Sequence, residues 1–189
     1  MNFAVTLVLG TLPRIILAPF AGALADKLDR KKMVVAMDLA SGGVMLLLFA
    51  VSHYHGLQVT LIYGAAFLLA VANTFLNMAM DAAIPNLVTD RQLVKINSLT
   101  QSTVSMTQVA APFVGGFVYG LIDIRLFVLI NAFTFIASAI SELFIDFRLN
   151  APPESERGVV GNSIFVEMKE GFLFLRRNSL LFTIGLFAV

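Results

Sequence analysis

The sequence predicts an all-α fold, a polytopic transmembrane helical bundle that is incomplete as it stands. Three observations carry this. The 189 residues are 58% hydrophobic and only 13% charged, against about 45–50% and 25% in soluble domains, and the mean hydropathy is +0.87. The apolar residues gather into runs long enough to cross a bilayer. The basic residues gather at alternate connections between those runs. Runs of this length are helices, because in lipid every backbone polar group must be satisfied within its own segment. A β-barrel would need alternating segments of about ten residues, and these are absent.

The composition also excludes several function classes. A net charge of +1 without a basic tract argues against nucleic acid as a partner. Zero cysteines exclude disulfides, thiolate metal sites and a cysteine nucleophile. Two histidines, His53 and His55, are too few for a histidine-rich metal site. No metal-ligand cluster, serine–histidine arrangement or phosphate-cradling glycine loop survives a pass along the chain, so neither an enzyme nor a cofactor is expected.

Taken in order, the predicted spans are Asn2–Ala25, Met33–Ser52, Leu57–Ala82, Ser98–Leu121 and Ile124–Ile145, and a further run begins near Ser179 and reaches Val189. Pro85 is expected to interrupt the third helix, opening a connection at Ile84-Pro85-Asn86. His53-Tyr54-His55 is expected in a short external loop. Lys27, Arg30, Lys31 and Lys32 follow the first span, Arg91 and Lys95 the third, and Arg148, Arg157, Lys169, Arg176 and Arg177 the fifth. Eleven of the thirteen basic residues thus fall on one side, while the opposite connections hold only Arg125. The positive-inside rule puts the basic side in the cytoplasm. The first span then runs from outside to inside, which implies a missing upstream helix, and the short last run implies a missing remainder downstream.

Asn150–Asn162, with Pro152, Pro153 and Gly158, is a hinge candidate. Ser163–Arg177 sets Ile164, Phe165, Met168, Phe172 and Leu175 at the spacing of an amphipathic helix lying on the inner membrane surface. The expected organisation is a transmembrane bundle over 1–148 lacking its first helix, a cytoplasmic central loop over 149–178, and the start of a second bundle over 179–189.

Three segments carry a resemblance. The first basic connection reads Gly22-Ala-Leu-Ala-Asp26-Lys27-Leu-Asp29-Arg30-Lys31-Lys32. Gly22 permits close helix approach, Asp26 stands where a helix ends, and Arg30 is a forked donor suited to a carboxylate. This resembles the signature between the second and third helices of major facilitator superfamily transporters, G-x-x-x-D-R-x-x-R-[RK], with Lys27 replacing its first arginine. Ala111-Pro112-Phe-Val-Gly115-Gly116, followed by Gly120, resembles the end of the antiporter motif in drug-exporting members. There Pro112 removes a backbone hydrogen bond, and the glycines allow close packing. Ser98, Thr107 and Ala111 stand where that motif places further glycines. Ile84-Pro85-Asn86-Leu87-Val88, Leu93 and Ile96-Asn97-Ser98-Leu99 resemble the next connection of macrolide-efflux-like facilitators, and Glu170-Gly171-Phe172 with Leu175-Arg176-Arg177-Asn178 resembles the end of their central loop.

On this mapping the chain runs from the family's second helix into its seventh. The resemblance implies a multi-pass plasma-membrane exporter of hydrophobic or amphiphilic small molecules, of the multidrug or macrolide-resistance type. Its partners would be the lipid bilayer, the substrate and protons as coupling ion, and it would work by alternating access. It also implies that Arg30 pairs with Asp81 to hold one gate closed. The rival expectation is a truncated, non-transporting membrane remnant or assembly partner.

Ionisable groups within spans are functional candidates, since burial near the bilayer centre costs at least about 2.5–3.5 kcal/mol. Arg14 lies twelve residues before Asp26, which is about 18 Å deep, and either faces a wet cavity or an acid, or reaches the outer interface. Asp38 and Glu142 are candidate proton carriers. Asn73, Asn77, Gln101 and Gln108 are polar groups that either line a path or join helices by hydrogen bonds.

Overall fold

The structure is a computed structural model that describes residues 3–147. Among these it contains five helices and no strand: α1 (Phe3–Lys27), α2 (Arg30–His55), α3 (Val59–Leu87), α4 (Asp90–Leu121) and α5 (Ile124–Leu143). All five are long and apolar enough to cross a membrane. The expected cytoplasmic central loop and the start of a second bundle lie outside the described residues.

The helix ends follow local chemistry. Asp29 caps α2 by accepting from the Lys31 and Lys32 backbone N–H groups at 3.1 and 3.5 Å. Asp123 caps α5 by accepting from the Arg125 N–H at 2.7 Å. Thr89 opens α4, and its N–H donates to Gln92 Oε1 at 3.2 Å, which closes a capping box. Gly56 ends α2 at φ +76°, a conformation that side-chain-bearing residues rarely adopt.

Two expectations are corrected. Pro85 does not interrupt α3; it sits inside the helix, which continues to Leu87. A proline near a helix end loses one backbone bond without preventing the last turn from closing. The His53–His55 segment is the last turn of α2 rather than a loop. His53 there meets the Tyr54 ring edge-on, with centroids 5.4 Å apart.

The core is built by α1, α2, α3 and α5, with α2 packed on α3 and α5, and α1 packed on α3. Small residues make this contact close. Ala65, Ala72, Ala79 and Ala83 of α3 are buried, as are Ala132 and Ala139 of α5. A Cβ on Gly42 of α2 would stand 3.0 Å from Ile136 Cγ1 and 3.3 Å from the Ala132 carbonyl oxygen, so the backbones meet there without room for a side chain. One apolar cluster closes the end of the bundle where α1 stops and α2 begins, from Ala25, Met33, Val34, Ala79, Ala83 and Phe147. A second, at the other end, joins Leu48, Ala65 and Val128. By contrast α4 touches α3 at only a few residues, and none of its described side chains is buried.

Candidate functional site

The candidate site is a largely apolar cleft of about 310 Å³ between α2, α3 and α5, with two acids, two amides and two hydroxyls among its lining residues. Each wall is a helical stripe. Asn131, Thr134, Phe135, Ser138 and Glu142 recur every three or four residues along α5 and therefore share one face. Leu76, Asn77 and Met80 come from α3, and Asp38 from α2. Asp38 lies one turn before Gly42, so the tight α2–α5 contact at Gly42 fixes how closely the Asp38 carboxyl approaches α5.

Asp38 is only 3% exposed, yet it lines the cleft. Its neighbour is the Glu142 carboxyl, close enough for the two to interact directly. Glu142 Oε1 accepts from the Ser138 hydroxyl at 3.5 Å, whereas Oε2 is buried without a hydrogen-bond partner. Asn77 Nδ2 donates to Asn73 Oδ1 at 3.1 Å, so the α3 stripe is held internally with Asn77 on the cleft wall. Two acids, amides and hydroxyls thus face a space within an apolar bundle.

Beside this site the start of α2 and the end of α5 are tied together. Lys31 Nζ donates to the carbonyl oxygens of Leu143 and Ile145 at 2.6 and 2.9 Å. These are orphan acceptors at a helix C-terminus, where a cation is favoured. The bond also brings the first connection and the end of α5 to one side, as the basic-residue pattern requires.

The other sequence candidates are spread more widely. Half-buried Arg30 and exposed Asp81 form no ion pair with each other in this structure. Gly22 is half-buried, and a Cβ there would meet nothing within 4 Å. The side chains of Asp26 and Lys27 lie outside the described ones. Gly115, Gly116 and Gly120 face open space on α4, and Pro112 is accommodated within that helix. Arg14 on α1, and Gln101 and Gln108 on α4, are exposed and do not line the cleft. Asn131, Thr134, Ser138 and Gly42 escaped the sequence reading. The spacing of Asn131, Thr134, Ser138 and Glu142 was available as a signal, and so was the Ser41-Gly42-Gly43 run.

A bundle of five helices, each long and apolar enough to cross a membrane, defines a multi-pass membrane protein. The chain belongs to the Major Facilitator Superfamily, whose family model matches residues 1–189. It is 29% identical over 182 residues to a protein named macrolide efflux protein A from Enterococcus faecalis, covering 96% of this chain and 54% of that protein. To a Streptococcus pyogenes protein of the same name it is 27% identical over 190 residues, covering 100% of this chain and 45% of that one. A multi-drug resistance efflux pump, PmrA, of Streptococcus pneumoniae is 27% identical over 168 residues, covering 84% of this chain and 38% of the pump. The chain thus spans about half the length of the curated relatives it matches. No solved structure is significantly similar to it.

Proposed function

We propose that this chain forms part of an exporter that moves hydrophobic or amphiphilic small molecules out of the cell in exchange for protons. It is read as a transporter rather than an enzyme. The observation that carries the reading is the Asp38–Glu142 pair, two carboxyls in contact inside membrane-spanning helices. Like charges this close in a low-dielectric interior repel, and a proton between them removes the repulsion. Loss of that proton is felt at once by α2 and α5, which meet at Gly42 and at Lys31. The efflux proteins to which the chain is similar support export as the direction.

In this reading the remainder of the transporter supplies the opposing bundle, and rocking between the two bundles gives alternating access. Arg30 and Asp81 pair when the cytoplasmic gate closes. Gly22, Asp26, Lys27 and Lys31 shape that gate, with Lys31 acting through its hold on α5. Pro112, Gly115, Gly116 and Gly120 of α4 receive a helix of the remainder. Arg14, Asn73, Asn77, Gln101 and Gln108 contribute to the substrate path.

The test is accumulation of a labelled macrolide in efflux-deficient bacteria that produce the protein. The reading expects reduced accumulation, restored by a protonophore and by Asp38→Asn or Glu142→Gln. Accumulation equal to that of the empty strain would favour a non-transporting remnant or assembly partner.

A further inference from the structure

We propose that residues 144–147, which leave α5, form a releasable strap. In it the Phe147 ring plugs the end of the bundle where α1 stops and α2 begins, Lys31 clips the carbonyl groups, and release frees the connection that follows. The strap is independent of the export reading. Phe147 is 5% exposed and sits among Ala25 of α1, Met33 and Val34 of α2, and Ala79 and Ala83 of α3. Alanines supply much of this lining, and their small side chains leave room for a ring between the helices. Apolarity alone does not account for the insertion, since Phe144, one turn earlier, is 85% exposed.

The local sequence does not dictate that α5 end at Leu143. Residues 144–150 contain neither glycine nor proline, the residues that commonly stop a helix. Phe144 is still right-handed, at φ −87° and ψ −8°. Beyond it the chain turns aside to two tertiary contacts. Lys31 Nζ donates to the Leu143 and Ile145 carbonyl oxygens at 2.6 and 2.9 Å, and Phe147 enters its hollow. The first contact is exposed and the second is a single ring, whereas the helices themselves pack along stripes of buried small residues. A segment held at two such points opens before a helix bundle does. Opening gives residues 144–147 back to the connection after α5, about 13 Å of reach when extended. The strap therefore sets how far the chain that follows can move from the bundle.

Limited proteolysis of the purified full chain in lipid nanodiscs tests this. Arg148 directly follows Phe147. Trypsin must draw the preceding residues into extended form to cut after it, which the seated ring prevents. Cleavage after Arg148 is read by mass spectrometry relative to cleavage after Arg157, and an uncut bond after Arg14 of α1 reports a folded bundle. The expected result is cleavage after Arg148 at least tenfold faster in Phe147→Ala and severalfold faster in Lys31→Ala. Lys31→Arg stays near wild type, and Phe144→Ala changes nothing. An unchanged rate in Phe147→Ala or in Lys31→Ala, or equal acceleration by Phe144→Ala, overturns the strap. Should Phe147→Ala also expose Arg14, the milder Phe147→Val decides. Faster cutting after Arg148 with Arg14 uncut upholds the strap. An unchanged rate, or cleavage at both sites together, overturns it in favour of a ring that only supports the fold.

Discussion

The Lys31 ammonium lies 2.6 Å from the Leu143 carbonyl oxygen and joins the first turn of α2 to the last turn of α5. A second bond, to Ile145 at 2.9 Å, completes the cap. This residue belongs to the basic run that sets topology, and it also closes a helix end one residue beyond Glu142. Hydrogen bonds to charged groups contribute about 1.5–3 kcal/mol when well shielded. These are exposed, so solvent screening reduces the effect. Lys31→Ala should cost about 1 kcal/mol in a thermal melt of the detergent-solubilised protein. Lys31→Arg should recover most of the loss. Equal stability of wild type and Lys31→Ala would remove the cap from the account.

Gly42 and Gly43 adjoin in sequence but differ in surroundings. A Cβ on Gly42 meets Ile136 and the Ala132 backbone, whereas one on Gly43 meets nothing within 4 Å. Overpacking a tight contact costs about 1–3 kcal/mol. Gly42→Val should therefore destabilise the bundle by that amount and separate Asp38 from Glu142, while Gly43→Ala should be neutral. The two melting temperatures, measured side by side, check this. Equal losses would show that helix propensity rather than interhelix contact governs the site.

The proposed gate gives a kinetic expectation. Arg30 and Asp81 are unpaired with each other in this structure, and the proposal puts their pairing in another state of the cycle. Asp81→Asn should slow efflux severalfold while leaving the fold and the Asp38–Glu142 cleft intact. Cytoplasmic accessibility of a cysteine introduced at Asn86 should rise in the same variant. No change in either quantity would free Asp81 from the gate.

The helices were legible in the sequence because lipid allows so few alternatives. Apolar runs located α1 to α5. Boundaries were less legible because polar residues near a helix end satisfy its backbone without leaving the helix. The α4 helix begins at Asp90, eight residues before the expected start, since Thr89 and Gln92 close its capping box. The α3 helix passes through Pro85 for the same local reason, a final turn that tolerates one missing N–H. Asp38 and Glu142 were visible singly as acids within spans. Their juxtaposition was not, because it depends on α2 packing against α5, a contact between segments about a hundred residues apart and made possible by Gly42. Lys31 reads as a topology anchor in sequence, and only the fold brings the end of α5 to it.

The central claim is that the Asp38–Glu142 pair exchanges a proton for substrate. Proton release from the purified protein in weakly buffered solution, on addition of a cationic amphiphile, tests it most directly. The account predicts a stoichiometric acid pulse from wild type, and none from the Asp38→Asn, Glu142→Gln double variant, folded as judged by circular dichroism. A pulse of equal size from the double variant, or none from wild-type protein that binds the amphiphile, would contradict it.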